Sequence, residues 1–165
     1  MKELKAIYRS LYLKTGHYTV EVIEDDLYKW KVTIIKIDSE SELANDLTKM
    51  SELAGEEMHV QLEFRFDASF PFSPPFIRVI TPVIHGGHVT DGGALCMELL
   101  SPEGWSSAYS MEAVIIQISA TFVDGTDPYG NARIKDMSLK PKQYTLGNAQ
   151  RAFQSTLDYH RKNGW

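Results

Sequence analysis

The segment Glu57 to Asp67 constrains this chain more than any other. Met58, Val60, Leu62, Phe64 and Phe66 alternate without a break with His59, Gln61, Glu63, Arg65 and Asp67. A period of two puts the apolar row on a core and the polar row toward water, the pattern of a half-buried antiparallel strand. Phe70-Pro71-Phe72-Ser73-Pro74-Pro75 then stops it, because three prolines cannot donate to a ladder, and an X-Pro bond here is a candidate for cis. Alternating runs at Thr19 to Glu24 and Trp30 to Ile37, joined by Asp25-Asp26, precede it, and Phe76 to Ile80 follows it. These predict a meander of four strands.

Helical spacing brackets the meander. Leu4, Ile7 and Leu11 predict one amphipathic helix over 2–13, closed near Gly16, with Lys2, Lys5 and Arg9 elsewhere on its surface. Residues 38–56 are polar and acidic, and a helical turn or two is expected there. Ser110 can cap a run in which Met111, Val114, Ile115, Ile118 and Phe122 share a face, ending at Gly125. A final helix starts at about Leu146, with Ala149, Phe153 and Leu157 as its apolar stripe. Between meander and helices, residues 81–108 are rich in Gly, Ser and Pro, and a loop this long in a compact domain is functional or disordered. The expected fold is α+β, a single domain over 1–165.

The charge sum excludes some partners. Seventeen Lys and Arg against twenty-two Asp and Glu give a net charge of −5, so no basic field invites nucleic acid. No apolar stretch reaches the roughly 18 residues of a membrane helix, and Met1-Lys2-Glu3-Leu4 does not open a signal peptide. One cysteine, Cys96, allows no internal disulfide and fits a reducing compartment, cytoplasmic or nuclear. Residues 1–70 carry nine cations against fourteen acids, and 133–165 carry seven against two. From Val79 to Ala132 there is no Lys or Arg, and Cys96 lies in this window.

Cys96 sits in Asp91-Gly92-Gly93-Ala94-Leu95-Cys96-Met97-Glu98-Leu99-Leu100. A lone cysteine among Ala, Leu and Met is commonly a buried structural residue, but glycines in a long loop permit close backbone approach. His85 and His88 allow two further readings. With Cys96 they outline a metal site, for which Asp91 would be an unusual fourth ligand. Alternatively, one of them serves as the base of a thiol hydrolase. Gly86-Gly87 and Gly92-Gly93 fit neither a Walker loop nor a dinucleotide fingerprint.

Taken in order, these segments resemble the catalytic domain of ubiquitin-conjugating enzymes over nearly the whole chain. Phe70 to Pro75 is similar to that family's aromatic-Pro-Phe-x-Pro-Pro signature. Gly93-Ala94-Leu95-Cys96, the following Leu-Leu and Trp105-Ser106 complete the set. The wording Gly92 to Leu100, then Gly104-Trp105-Ser106-Ser107-Ala108-Tyr109, and the ending Lys162-Asn163-Gly164-Trp165, resemble the Q-type branch. Members of that branch carry an additional N-terminal region, so an excised C-terminal domain is one reading of the chain.

The resemblance implies a transferase in which Cys96 takes ubiquitin from an activating enzyme as a glycyl thioester and passes it to an amine, usually a lysine. No cofactor is implied. The implied partners are ubiquitin, the activating enzyme, ubiquitin ligases and substrate proteins. Lys2, Lys5 and Arg9 would meet the activating enzyme, and Phe72 and Ser107 the ligase. Two departures stand out. The family's His-Pro-Asn tripeptide is replaced by Ile84-His85-Gly86-Gly87-His88, with His88 where the oxyanion asparagine would fall, and Ser-Pro-Ala after the tryptophan is replaced by Ser106-Ser107-Ala108. His88 is therefore expected to donate to the oxyanion or to support the loop that does. Asp124 or Asp127 could orient an incoming amine. A non-catalytic ubiquitin-binding variant of the fold, or a thiol hydrolase, is the alternative.

Overall fold

The computed structural model describes residues 2–123, 130–138 and 142–164. Its centre is an antiparallel sheet of β1 (Tyr18–Ile23), β2 (Asp26–Ile34), β3 (Val60–Arg65) and β4 (Phe76–Thr81), in sequential order. Val60, Leu62, Phe64 and Phe66 are buried on one face, as the alternation predicts. Beneath them lies α4 (Met111–Thr121), whose Met111, Val114, Ile115 and Ile118 complete the core, with Ser110 capping through Ala113 N–H.

The N-terminal helix departs from expectation. It is two short helices, α1 (Lys2–Ile7) and α2 (Leu11–Lys14), separated because Ser10 takes an extended conformation and accepts from Leu13 N–H. The Ser10 hydroxyl also donates to Glu112, which ties the break to α4, while Glu3 accepts from Met111 N–H. Leu4 and Ile7 stay in the core, but Leu11, expected on the same stripe, is 72% exposed. The acidic segment holds more than a turn or two: α3 (Glu42–Ala54) has thirteen residues, capped by Ser41 and closed by left-handed Gly55. Its buried Leu43, Leu47 and Met50 fall at i, i+4 and i+7, a stripe concealed by the surrounding charge.

The polar row of β3 departs as well. Glu63, expected to face water, is 4% exposed and bridges Arg65 (2.7 Å) and Arg78 (2.6 Å). Later chain covers that face, since Arg78 also donates to the Tyr144 carbonyl. Inside the predicted long loop a two-residue ribbon forms, β5 (Ile84–His85) pairing with β6 (Arg133–Ile134). The last element is α5 (Leu146–Asn163), capped by Thr145. No helix among the described residues is long and apolar enough to cross a membrane.

The two oppositely charged ends of the chain meet at β6. Asp46 of α3, 3% exposed, accepts from Arg133 Nε (2.8 Å), Arg133 Nη2 (3.2 Å) and Ile134 N–H (3.1 Å). Glu42 adds a second carboxylate to Arg133 at 3.1 Å. Arg133 is exposed, so its ion pairs contribute little by themselves; the buried N–H of Ile134 has more to lose. Asp46→Ala should lower stability by about 2 kcal/mol. Burial opposes ionisation of Asp46, but the hydrogen bonds from Arg133 and Ile134 and the guanidinium charge outweigh it, holding the carboxyl below the usual range. A depressed pKa stabilises the fold above the unfolded value of about 3.9 and stops doing so as pH falls through the folded value. Urea midpoints of parent and Asp46→Asn should therefore differ by a constant amount above about pH 4 and converge below it.

Candidate functional site

Cys96 is positioned by the sheet although it lies outside it. Segment 93–95 lies antiparallel beside β4: Val79 N–H donates to the Gly93 carbonyl (2.8 Å) and Leu95 N–H to that of Ile77 (3.0 Å). Ala94 and Leu95 are fully buried, and the next residue, Cys96, is half-buried with its thiol emerging at the end of this anchored run. Its N–H donates to the His88 carbonyl at 2.8 Å. Gly86, Gly87 and His88 are all left-handed, His88 at φ 59°, and this turn hangs from the β5–β6 ribbon. His is among the few residues other than Gly that adopt this conformation with any frequency. His88 thus supports the loop through its backbone.

Above the loop lies α5. A side chain at Gly92 would stand 2.4 Å from the Asn148 carbonyl and 2.7 Å from Ala152, and one at Gly93 would enter the Tyr144 ring. Only bare backbone lets the helix approach so closely. Tyr144 locks the entry, its N–H donating to Ile80 (2.9 Å) and its hydroxyl to the Ile84 carbonyl (2.7 Å). Burial, aided by the charge of Asp91, pushes the Tyr144 phenol up, so it remains a donor.

This packing brings His160 to the thiol, with Nε2 3.9 Å from Cys96 Sγ. Nδ1 lies 2.9 Å from the Gly164 carbonyl, which can only accept. Nδ1 therefore carries a proton, and in the neutral imidazole Nε2 is the acceptor that faces the thiol. Among the described residues, the histidine seen in contact with the thiol is thus one from α5, 64 residues away along the chain. A signal for it existed. Ala149, Phe153 and Leu157 extend on the same face to His160, eleven residues from the first. His85 is exposed on β5, and among the described residues no three His, Cys, Asp or Glu side chains converge as a metal site would require. Asp124 and Asp127 lie outside the described residues.

Residues 48–151 match the family model described as "Ubiquitin-conjugating enzyme". Over 165 residues the chain is 49% identical to ubiquitin-conjugating enzyme E2 Q1 of Homo sapiens and of Mus musculus, covering all of itself and 37% of each. It is 40% identical over 166 residues to a human Q-like ubiquitin-conjugating enzyme, covering 95% of that protein. The chain belongs to the ubiquitin-conjugating enzyme family, in its Q-type branch. Human ubiquitin-conjugating enzyme E2 G1 shares the fold at a TM-score of 0.56 and 20% identity, over 73% of this chain and 88% of that one. This Q-type domain spans little more than a third of the E2 Q1 proteins.

The other predicted positions of the domain form two separate surfaces. Lys2 and Lys5 are exposed on α1 and Arg9 in the turn after it, beside exposed Tyr8, Leu11 and Tyr12, on elements other than those holding Cys96. Phe72 is 84% exposed on the proline turn. Trp105 Nε1 donates to the Pro71 carbonyl (2.8 Å), and its ring packs on Phe70 and Tyr109, so the turns bearing Phe72 and exposed Ser107 are tied together.

Glycine substitutions test the close approach of α5. Gly92→Ala should cost about 1–3 kcal/mol in urea denaturation and speed proteolytic release of α5, because the helix must move off the loop. Gly147→Ala, with open space around its Cβ, should leave both unchanged or add up to about 1 kcal/mol.

Proposed function

We propose that Cys96 accepts the C-terminal glycyl group of ubiquitin from the thioester of an activating enzyme and passes it to an amine of a substrate protein. The observation that carries this reading is the placement of His160 Nε2 3.9 Å from the thiol of the loop-anchored Cys96. In loading, the Cys96 thiolate attacks the incoming thioester carbonyl and the activating enzyme's thiolate leaves. In transfer, an amine attacks the same carbonyl and a tetrahedral oxyanion forms. His160 Nε2 takes the amine proton as the C–N bond forms. The oxyanion collapses, the C–S bond breaks, and the proton returns to Sγ. The α1–α2 surface, with Lys2, Lys5, Arg9 and Leu11, suits the activating enzyme, and Phe72 with Ser107 suits a ligase. A thiol–imidazole pair also suits a thiol hydrolase, with water in place of the amine, and that reading is the competitor.

Incubation with activating enzyme, ubiquitin and ATP, followed by a non-reducing gel, separates these readings. The parent should form a thiol-sensitive adduct. Cys96→Ser should form one that resists thiol and yields to hydroxide, and Cys96→Ala none; loading of Cys96→Ala would sink the assignment. His160→Ala should slow single-turnover discharge to lysine by about a hundredfold, the usual minimum for a positioned base, with a smaller effect on loading.

The His88 ring is proposed as the oxyanion donor in place of asparagine. Because its carbonyl already supports Cys96, glycine is the informative substitution: it keeps the left-handed backbone and removes only the ring. His88→Gly should load normally and discharge about tenfold or more slowly, and His88→Asn should recover part of the loss. A His88→Gly protein that discharges at the parent rate would leave His88 a purely backbone role.

A further inference from the structure

A groove of about 460 Å³ runs between the proline turn and α5, walled by Pro74, Pro75, Phe76, Leu100, Phe153 and Leu157. The Phe76 and Phe153 rings meet edge to face at 5.4 Å in its wall. Pro102 and Leu157 are shared with a second recess of about 250 Å³, which His160, Glu103 and Arg161 also line. The two form one trench ending at the histidine that touches the thiol. Around the larger chamber the charges are engaged with neighbours, Arg65 with Glu63 and Asp67 with Ser73; in the recess Arg161 pairs with Asp158, and Glu103 adds a carboxylate. What the larger chamber offers an occupant is apolar area.

The position of the base decides which reactant belongs here. Ubiquitin's tail need only bring its carbonyl to Sγ, whereas the acceptor must bring its proton within reach of His160 Nε2. The recess has His160 on its wall, and His160 Nε2 lies 3.9 Å from Cys96 Sγ, so an acceptor seated there lies beside the group that takes its proton and next to the thioester. We propose that the trench binds the acceptor as an extended segment of substrate protein. The residue to be modified enters the recess, and a bulky apolar residue a few positions away fills the chamber, packing on the wall that Phe76 and Phe153 form together. The domain thereby selects acceptor sites itself, in addition to any choice a ligase makes. This inference rests on the reading of Cys96 and His160 as a transfer centre.

The test is single-turnover discharge of the ubiquitin-loaded protein to three acceptors: free lysine, a lysine peptide with leucine or phenylalanine flanking the lysine, and the same peptide with serine there. The parent should prefer the apolar peptide over the serine peptide by about tenfold or more, the value of burying one large side chain. Phe153→Gln should erase that preference. Gln150 is exposed on α5 and lines the chamber, so Gln150→Trp fills it without disturbing the core, and should lower the ratio of peptide to lysine discharge about tenfold. Equal discharge of the two peptides by the loaded parent overturns the proposal and leaves the transfer reading intact. Slower loading in Gln150→Trp, with an unchanged peptide-to-lysine ratio, also overturns it and gives the trench to ubiquitin's tail. A parent that never loads overturns the transfer reading and this one with it.

Discussion

The hydrogen bonds between β4 and segment 93–95 are what the rest of the site depends on. Backbone that pairs with a sheet cannot drift, so Ala94 and Leu95 are buried and the residue after them is delivered to one place. Because Gly93 is part of that pairing, the loop lies flat enough for Tyr144 and α5 to settle on it. The close approach of α5 in turn brings in His160. Cys96 is held from the other side by the His88 carbonyl, on a turn suspended from a ribbon that α3 holds through Asp46. Each support is a backbone or buried polar contact, and none requires the thiol itself to make a strong bond.

Electrostatics follow the same order. The chain is acidic at one end and basic at the other, a division that reads from composition as two fields. In the folded protein much of it is spent internally: Arg133 on Asp46 and Glu42, and Lys135 on Asp91. No Lys or Arg occurs between Val79 and Ala132, yet the thiol is not left without a proton partner, because a histidine from outside that window reaches it.

The meander, the stop at Pro71 and the capped helix after Ser110 were legible because each is written in local periodicity or turn chemistry, whereas Cys96 stood out only through the resemblance of its motif. The two-helix start was not, since the break at Ser10 depends on Glu112, a hundred residues away, as much as on its own cap. The burial of Glu63 was hidden for a similar reason: alternation reports which side of a strand faces the core, not what later chain covers the other side. His160 was half-legible. Its helical register placed it on the buried face, but only the packing of α5 against bare glycines says what that face meets.

The distance between Cys96 and His160 along the chain has a consequence for synthesis. A ribosome delivers the thiol first and the histidine 64 residues later. During that interval Cys96 lacks this neighbour, and the contact comes into being only when α5 docks on the loop. A nascent or truncated chain that lacks the helix has Cys96 without His160, so under the proposed mechanism it has the thiol without its base.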